Sequence, residues 1–408
     1  MPAREAETLA ALHRLLDRVL GPNAFYTRKW GDRPRRFSSL AEFAAQAPFT
    51  TRAEWTADQT AHPPFGTNLS EPVGAYSRFC QTSGTSGRPM RWLDTTESWD
   101  WMLGNWALIL ERCGFSPSDR IFFAFSFGPF LGFWTAFEAC TRLGALVIPG
   151  GGLGTAARLR VMEENGVTGL FCTPTYALHL AQAARAEGIG PDRLPVQRIL
   201  VAGEPGGGIP AVRAALEAGW PGARILDHHG MTEVGPVSYP CPEVPGVLRI
   251  PAARYHAEVV DPRPDGLGEL VLTPLGRSAS PLIRYRTGDL VRPLREPGRD
   301  LGLVGGILAR ADDMLIVRGV NVFPSSVESL VREFAEVGEF QVEVRRSPTL
   351  TELVLRVEVA GAEPAAVCRA LERRLQDRLS LRVPVSAVPA GSLPRFELKA
   401  RRWSTVEV

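Results

Sequence analysis

The stretch Gly169-Leu170-Phe171-Cys172, together with the helical segment 176–187 that follows it, decides the fold class. It is one of several short apolar runs that alternate with helical segments. The apolar runs are residues 121–125, 145–148, 169–172, 199–201 and 224–226, and the helical segments are residues 156–164, 176–187 and 211–218. This alternation predicts an α/β fold, in which a largely parallel sheet carries helices on its faces.

The pattern changes toward the C-terminus and predicts further parts of the fold. Residues 247–304 contain tighter, hairpin-like strands, which predict a β subdomain attached to the α/β core. Strands near residues 341–345, 353–359 and 383–388 and a helix near 364–379 predict a separate α+β domain. We therefore predict a large N-terminal domain, residues 1–309, and a small mobile C-terminal domain, residues 310–408, with a hinge at residues 310–313.

The first 75 residues are less informative. Apolar residues at helical spacing from Leu9 to Val19 predict a helix that ends at Gly21 and Pro22. Residues 21–75 are rich in turn formers and aromatic residues, which indicates loops with short helices.

Charge and composition exclude several kinds of partner. The chain has 46 Lys+Arg and 44 Asp+Glu, a net charge of +2, which gives no electrostatic basis for binding nucleic acid or an anionic membrane. The apolar run from Ile121 to Phe137 is short for a membrane span and contains Pro129, so we predict a strand, a turn and a helix there. Six scattered cysteines and an N-terminus without an apolar signal core predict a cytoplasmic protein with reduced thiols.

The stretch Thr82-Ser83-Gly84-Thr85-Ser86-Gly87-Arg88-Pro89 has the composition of a phosphate-binding loop. Glycines let backbone N–H groups surround an anion, hydroxyls add donors, and the arginine neutralises charge. The segment does not match the common G-x-x-x-x-G-K-[ST] pattern. Taken alone, it is equally compatible with a surface loop rich in serine and glycine.

Two segments follow predicted strands, which is where ligands of open α/β sheets bind. The first is Gly203-Glu204-Pro205, for which a tight turn with a capping glutamate is the alternative. The second is Asp227-His228-His229-Gly230-Met231-Thr232-Glu233, where a ring beside a glycine can stack on a base and Thr232 and Glu233 offer oxygen ligands for Mg²⁺. The two histidines are adjacent and therefore point to opposite faces of a strand, which disfavours a shared metal ion.

Three later segments carry charge. In Arg284-Tyr285-Arg286-Thr287-Gly288-Asp289 a carboxylate follows a glycine turn, a position suited to ribose hydroxyls, although a hairpin with ion pairs is the alternative. The segment Arg310-Ala311-Asp312-Asp313 lies at the predicted boundary and suits a hinge or a plain linker. Lys399 is one of only two lysines among the 46 basic residues, and a lysine on a mobile domain can deliver a compact charge to a distant site. A solvated surface lysine is the common alternative.

The order of these segments resembles the adenylate-forming superfamily of acyl-CoA synthetases, luciferases and peptide-synthetase adenylation domains. The longer stretches resemble phenylacetate-CoA ligases and related arylacid ligases from about residue 76 to the C-terminus. Those stretches are GVTGLFCTPTYAL, VAGEPGG, DHHGMTEVGP, GELVLTPLGRSASPLIRYRTGDL and DDMLIVRGVNVFPSSVE. The resemblance implies an enzyme that uses Mg-ATP to convert an aryl carboxylic acid into an acyl-adenylate and pyrophosphate. The acyl group would then pass to the thiol of coenzyme A, with release of AMP.

The resemblance also implies roles for individual residues. ATP and AMP binding is implied for Ser83, Gly84, Thr85, Ser86, Gly87, Arg88, Gly203, Glu204, Pro205, Asp227, His228, His229, Gly230, Met231, Asp289 and Arg310. Thr232 and Glu233 would hold the phosphates, with Glu233 as a Mg²⁺ ligand, and Asp289 would hold the ribose together with Arg310. Lys399 would bridge the substrate carboxylate and the α-phosphate, and would move away as the chain turns about Asp312. The thiol channel would be lined by Gly319, Val320, Asn321 and Phe323.

Several positions depart from the family pattern. Arg88, His229 and Ala309 lie where lysine, tyrosine and glycine are usual. Phe137 lies where close relatives often have histidine. The segment after Asp289 lacks the cysteines that some relatives have there, so we predict no structural zinc.

The predicted acid pocket lies between an aromatic run and the GEP segment. Its residues are Phe127, Phe130, Phe133, Trp134 and Ala202. Flat apolar surfaces suit an aryl ring, although the same rings could belong to the core. Two other functions stay open: loading of the acyl group onto the phosphopantetheine of a carrier protein, and a binding role without catalysis. Analogy with the family adds the expectation of a homodimer.

Overall fold

The computed structural model describes residues 3–82, 89–318, 320–346, 351–361, 363–396 and 401–407, without the side chain of Asn321. The helices in this part of the chain are α1 Ala3–Val19, α2 Ala24–Trp30, α3 Leu40–Gln46, α4 Arg52–Ala61, α5 Thr96–Cys113, α6 Leu131–Leu143, α7 Thr155–Glu164, α8 Pro174–Ala186, α9 Pro210–Gly219, α10 Pro324–Arg332 and α11 Pro364–Leu379.

The strands follow the same chain order. They are β1 Arg78–Gln81, β2 Arg91–Asp94, β3 Arg120–Phe123, β4 Leu146–Pro149, β5 Gly169–Cys172, β6 Arg198–Val201, β7 Arg224–Asp227, β8 Gly230–Met231, β9 Gly235–Pro236, β10 Tyr239–Pro240, β11 Val247–Ile250, β12 Tyr255–Val260, β13 Gly268–Pro274, β14 Tyr285–Val291, β15 Pro293–Leu294, β16 Leu301–Val304, β17 Ala309–Arg310, β18 Leu315–Val317, β19 Val320–Val322, β20 Val337–Arg346, β21 Thr351–Val359, β22 Val385–Val388 and β23 Trp403–Glu407.

The chain forms two compact units, and each consists of two segments. The first unit comprises Met1–Gly152 and Asp227–Gly306, and the second comprises Leu153–Leu226 and Ile307–Val408. In the first unit β3 and β4 pair in parallel, and α6 connects them. In the second unit β5 and β6 pair in parallel, and α8 connects them. Parallel strands joined by helices confirm the predicted α/β class.

Antiparallel strands make up the rest of the first unit. β12, β13 and β14 form a meander with an irregular register between Glu269 and Val271, and β10, β11, β16 and β15 form a second antiparallel sheet. These sheets confirm the predicted change to hairpin-like strands near residue 247. β1 and β2 pair as a shorter antiparallel hairpin, and the predicted phosphate loop lies between these two strands in the sequence.

The C-terminal part of the second unit has the predicted α+β composition. β20 and β21 are antiparallel neighbours, and β22 and β23 pair with them in parallel on the outside. α10 and α11 contribute Val327, Leu371 and Leu375 to the same apolar core. β23 was not predicted, because Trp-Ser-Thr-Val-Glu is short and mostly polar. The predicted domain boundary and hinge at residues 310–313 stay predictions.

The N-terminal helices form a core of their own in the first unit. α1 buries Leu12, Leu15 and Leu16 against a cluster that also contains Leu275 and Ile283. Each fully buried leucine stabilises the fold by about 2 kcal/mol. The short helices are well capped, and α4 has a complete capping box between Thr51 and Glu54. The first 75 residues therefore hold the chain around residues 275–283 in place.

The segment from Ile121 to Phe137 contains a strand, a turn and a helix, as predicted. β3 ends at Phe123, and α6 begins at Leu131 after a turn that contains Pro129. Among the described residues, we find no helix with the length and hydropathy that a membrane span requires.

Candidate active site

The first unit brings His229 and Asp289 into contact. His229 lies between β7 and β8, and Asp289 lies on β14 after Gly288, whose positive φ of 76° accompanies the irregular register between β13 and β14. The distance between Nε2 of His229 and Oδ2 of Asp289 is 3.1 Å, and both residues are less than a tenth exposed. The backbone N–H of His229 donates to Oγ of Ser238 over 3.0 Å. Nδ1 of His229 has no hydrogen-bond partner among the described residues, although it is buried.

His228 points into the core instead. Its Nδ1 lies 2.7 Å from the carbonyl oxygen of Ser238, so this nitrogen carries the proton and donates it. Its ring lies 4.5 Å from that of Trp106. Burial lowers the pKa of His228 to about 3, and His229 acts in the same direction. The imidazole is therefore neutral at physiological pH, and the two histidines face different surroundings.

The described part of the chain holds no cluster of three or more His, Cys, Asp or Glu side chains suited to a metal ion. Mg²⁺ bound with ATP takes most of its ligands from phosphates and water, and it needs only one or two from the protein.

Thr232 and Glu233 begin the tight turn between β8 and β9. The turn closes at Gly235, which has a positive φ of 87°. Nη1 of Arg277 donates to the carbonyl oxygens of both turn residues, over 2.7 Å to Thr232 and 2.9 Å to Glu233. The Glu233 side chain is largely buried. The position of this predicted phosphate and Mg²⁺ segment is thus fixed by an arginine that the sequence analysis did not single out.

Asp94 completes the contacts of Arg277. Its two carboxylate oxygens accept from Nε and Nη2 of Arg277 over 2.8 and 2.6 Å, and both side chains are fully buried. The guanidinium also lies 5.3 Å from the centre of the Trp92 ring. Arg277 lies within the quoted stretch GELVLTPLGRSASPLIRYRTGDL, and its charge within a largely apolar stretch is the signal that could have identified it.

The predicted phosphate loop itself lies outside the described residues, but its two ends are fixed. The backbone N–H of Thr82 donates to the carbonyl oxygen of Met90 over 3.0 Å, and that of Met90 donates to Oγ1 of Thr82 over 3.0 Å. Of the other predicted residues, Lys399 and Gly319 also lie outside the described residues. The loop residues concerned are Ser83, Gly84, Thr85, Ser86, Gly87 and Arg88.

Asp227 is the last residue of β7, and its carboxylate lies close to the backbone of Gly306. A Cβ atom at Gly306 would lie 2.9 Å from Oδ2 of Asp227, and Gly306 has a positive φ of 70°. Only glycine fits that position without displacing the carboxylate. The neighbouring residues Gly230 and Met231 form β8 and pair with β9.

The predicted aromatic residues form one cluster in the first unit. Phe133 stacks on Phe125 at 4.0 Å between ring centres, and Phe130 meets Phe133 edge-on at 5.9 Å. Phe127 contacts Trp134 at 5.1 Å and Phe137 at 5.4 Å. The indole of Trp134 is 40% exposed, so this end of the cluster is open.

In the second unit, Glu204 has the contact expected of the alternative interpretation. Its Oε1 accepts from the backbone N–H of Thr175 over 2.9 Å, so the carboxylate caps the first turn of α8. Gly203 has a positive φ of 94°, as a tight turn requires. Ala202 continues β6 through a hydrogen bond to the carbonyl oxygen of Cys172, and Pro205 follows in the same turn.

The predicted hinge also lies in the second unit. Arg310 makes a two-point ion pair with Asp312, at 2.9 and 3.1 Å, on an exposed surface. Val320 belongs to β19, and Phe323 precedes the first turn of α10. The side chain of Asn321 lies outside the described residues.

A buried charged cluster near the C-terminus was not predicted. Arg402 is 4% exposed and pairs with Glu339 at 2.6 Å and Glu328 at 2.9 Å. Its Nη1 also lies 3.3 Å from Oγ1 of Thr175, the residue whose backbone Glu204 caps. Burial acts to lower the pKa of Arg402, but Glu328 and Glu339 outweigh it and raise the pKa.

The fold and these segments define an AMP-binding enzyme. The family model described as "AMP-binding enzyme" matches residues 47–273, and the one described as "AMP-binding enzyme C-terminal domain" matches residues 319–404. The chain belongs to this family of adenylate-forming enzymes.

Among its relatives, the chain is similar to phenylacetate-coenzyme A ligases. It is 34% identical to the enzyme of Escherichia coli, over 92% of this chain and 89% of that protein. It is 31% identical to the enzyme of Thermus thermophilus, over 95% of this chain and 92% of that protein.

A crystal structure of 2-hydroxyisobutyryl-CoA ligase, in the postadenylation state with R3-HIB-AMP, matches with a TM-score of 0.88 and 28% identity, over 100% of this chain and 90% of that one. These similarities confirm the predicted resemblance and place the chain among AMP-forming acid–thiol ligases.

Proposed function

We propose that the protein activates an aryl carboxylic acid with ATP and transfers the acyl group to coenzyme A. The carboxylate would attack the α-phosphorus of ATP, which forms an acyl-adenylate and releases pyrophosphate. The thiol of coenzyme A would then attack the acyl carbon, which forms a thioester and releases AMP. The observation that carries the proposal is the contact between His229 and Asp289, because it joins a ring and a carboxylate at 3.1 Å in a chain of this family.

The residues of the first unit suit a nucleotide. Asp289 offers a carboxylate to the ribose hydroxyls, and the buried Nδ1 of His229 lacks a hydrogen-bond partner within the described chain, so a ligand atom can satisfy it. In place of the usual tyrosine, the flat ring of His229 would lie against the adenine. Arg310 is proposed to hold the ribose together with Asp289, as the resemblance to the family implies.

The Thr232 and Glu233 turn suits the phosphates. A hydroxyl and a carboxylate are the oxygen groups that Mg²⁺ and phosphate require, and both lie on one turn fixed by Arg277. Mg²⁺, when bound, would neutralise the charge of the phosphates. Within the chain, Glu233 would hold the metal, Ser83 to Arg88 would hold the leaving pyrophosphate, and Lys399 would meet the substrate carboxylate.

The aromatic cluster supports an aryl acid. Phe127, Phe130, Phe133 and Trp134 offer flat apolar faces, and the exposed indole of Trp134 leaves one side of the cluster open to a ligand. The structural neighbour is named for 2-hydroxyisobutyrate, an aliphatic acid, but the relatives named for phenylacetate and the aromatic cluster both favour an acid with a ring. We therefore propose phenylacetic acid or a benzoic acid as the substrate.

Coenzyme A is the proposed thiol, with Val320 and Phe323 at the channel. A carrier-protein phosphopantetheine is the alternative acceptor. A cytoplasmic location and a homodimer belong to the same proposal. The six cysteines are buried and form no disulfide within the described chain, which favours a reducing compartment.

Pyrophosphate exchange into ATP tests the first half of the reaction. The assay uses wild-type protein with MgATP and one acid at a time from a panel of phenylacetic, benzoic, hydroxybenzoic and aminobenzoic acids. We expect exchange that depends on the acid, and we expect Asp289→Ala to lose it. Folded protein that gives no exchange with any acid would favour a binding role without catalysis. Exchange followed by loading of a carrier protein, with no thioester from coenzyme A, would replace coenzyme A by the alternative acceptor.

A further inference from the structure

The contact between Arg277 and Asp94 joins two segments that the proposed function assigns to the phosphates. Asp94 is the last residue of β2, the strand that begins two residues after Pro89, where the predicted phosphate loop ends. Arg277 reaches from the segment after β13 to the turn that carries Thr232 and Glu233. One guanidinium therefore links the strand that leaves the loop to the turn that offers the Mg²⁺ ligand.

The geometry of this contact needs an arginine. Three nitrogens of Arg277 are used at once: Nε and Nη2 on Asp94, and Nη1 on the two turn carbonyls, all within 2.9 Å. A lysine ammonium is a single point of charge and cannot satisfy a carboxylate and two carbonyls on opposite sides. The fork of donors thus fixes distance and orientation between β2 and the turn.

A buried ion pair of this kind is a costly way to stabilise a fold. Both side chains are 0% exposed, and burial opposes the charge of Arg277, although Asp94 outweighs it and raises the pKa of the guanidinium. Replacing such a pair by packed apolar residues is often neutral or stabilising in other proteins. An apolar pair at these positions would lose the hydrogen bonds that Arg277 donates to the carbonyl oxygens of Thr232 and Glu233.

The segment 275–284 that carries Arg277 is itself fixed by the N-terminal part of the chain. The backbone N–H of Ser70 and the hydroxyl of Tyr76 both donate to the carbonyl oxygen of Ala279, over 2.9 and 2.7 Å. Nδ2 of Asn68 donates to the carbonyl oxygen of Pro281 over 2.7 Å. Trp55 of α4 stacks on Trp92 at 4.1 Å, on the ring that the guanidinium contacts. Residues between Trp55 and Tyr76 thus contribute to the position of Arg277.

We propose that Arg277 and Asp94 are a positioning pair for the phosphates of ATP. They hold β2, the strand that follows the predicted phosphate loop, and the Thr232–Glu233 turn at the separation that MgATP requires. The proposal rests on the proposed function. Neither residue touches the reacting atoms; both act through the backbone that they hold. AMP has no β- and γ-phosphates, so its binding through His229 and Asp289 does not depend on this separation.

The test compares the affinities of one protein for MgATP and for AMP. Arg277→Lys keeps the charge but loses the fork, so we expect its Kd for MgATP, measured by calorimetry without acid, to rise about 10- to 100-fold. Its Kd for AMP should change less than about threefold, a difference well under the tenfold that 1.4 kcal/mol represents. Its KM for the acid should stay the same while pyrophosphate exchange slows.

Arg284→Lys is the matched control. Arg284 is also buried, pairs with Glu258 at 2.8 and 3.0 Å, and donates to the carbonyl oxygen of Ala47, yet it does not contact the turn. We expect this variant to lose thermal stability without changing the ratio of the MgATP and AMP affinities. If Arg277→Lys weakens both ligands equally, weakens neither, or matches the control, the positioning proposal is wrong.

Asp94→Asn covers the case in which Arg277→Lys does not fold. It keeps the shape of the pair and removes the charge, and the same selective loss of MgATP affinity is expected; an equal effect on AMP contradicts the proposal. Wild-type protein that binds neither nucleotide and shows no pyrophosphate exchange would instead overturn the proposed function, so the two failures are distinguishable.

Discussion

Nε2 of His229 lies 3.1 Å from Oδ2 of Asp289, and the two residues, 60 positions apart in the chain, are both buried. The contact joins the segment between β7 and β8 to strand β14. In the proposed function it places the ring for the adenine beside the carboxylate for the ribose. It also means that each side chain holds the other in position before a nucleotide binds.

Asp289→Asn should weaken AMP binding by about 10- to 100-fold, because the amide keeps one acceptor oxygen and loses one charge-assisted hydrogen bond from the ribose, and such a bond contributes about 1.5–3 kcal/mol. Calorimetric titration with AMP measures this. Asp300→Asn serves as the control, since Asp300 is another buried aspartate of the first unit but pairs with Tyr239 and Arg4. Equal losses in the two variants would remove Asp289 from the ribose site.

His228 should make the protein sensitive to acid. Burial lowers its folded-state pKa to about 3, whereas the unfolded chain takes up the proton near 6.5. Between these values the unfolded state binds more protons, so the free energy of unfolding falls as the pH drops from 6.5 toward 3, by up to about 1.4 kcal/mol per pH unit. The stability is fully present above 6.5.

The variant His228→Asn isolates this contribution. Its side-chain amide can still donate to the Ser238 carbonyl but cannot titrate. Urea unfolding at several pH values should therefore show a shallower loss of stability below pH 6.5 than in the wild type. Burial also lowers the pKa of His13 and His256, and these residues affect both proteins alike. Identical slopes in the two proteins would show that His228 is not the group responsible.

Trp134→Ala should raise the KM for aryl acids several-fold and leave the KM for MgATP unchanged, because the indole offers one exposed face of the aromatic cluster. Steady-state kinetics with both substrates measure the two constants. Leu146→Ala removes another exposed apolar side chain of the first unit, outside the aromatic cluster, and should change neither. A Trp134 variant with unaltered KM for every acid would place the acid elsewhere.

Arg402→Met should destabilise the second unit by about 3–5 kcal/mol, because it leaves the buried carboxylate of Glu339 and the partly buried carboxylate of Glu328 with less compensating charge. Urea unfolding provides the measurement. The control Arg374→Met breaks the exposed pair with Glu333, which we expect to contribute little because water and salt screen it. Similar losses in both variants would contradict a special role for the buried cluster.

Lys399→Ala tests the proposed role of Lys399, one of the two lysines in the chain. If this ammonium acts in adenylation only, formation of the acyl-adenylate should fall by about 10³-fold, while conversion of a supplied acyl-adenylate to the thioester stays nearly unchanged. Single-turnover assays of the two half-reactions separate these steps. Equal losses in both steps would contradict its assignment to the first.

The sequence predicts those parts of the fold that depend on local periodicity. The sequence predicts the strand at Gly169–Cys172 and the helix after it, because a continuous run of apolar residues gives way within a few residues to apolar residues at helical spacing. Strand geometry also predicts opposite orientations for His228 and His229. The two residues lie between β7 and β8 and have different partners, Ser238 and Asp289. For Glu204, the sequence is equally compatible with a ligand-binding segment and with a tight turn that has a capping glutamate. Only the folded chain shows the hydrogen bond from the backbone N–H of Thr175, which is the capping contact.

The sequence could not predict contacts between distant residues. Arg277 and Asp94 are separated by 183 positions, and no local pattern pairs one arginine among so many with a particular aspartate. The same holds for Arg402, which directly precedes the short and mostly polar strand β23. It also holds for the N-terminal helices, whose apolar residues pack against Leu275 and Ile283 only in the folded chain.

Product analysis with coenzyme A tests the central proposal most directly. Wild-type protein is incubated with MgATP, coenzyme A and each acid of the panel, and the products are separated by liquid chromatography with mass detection. We predict an aryl-CoA thioester together with AMP and pyrophosphate in equal amounts for at least one aryl acid. Folded protein that forms no acyl-CoA from any of them, or that releases ADP and phosphate instead, would contradict the proposal.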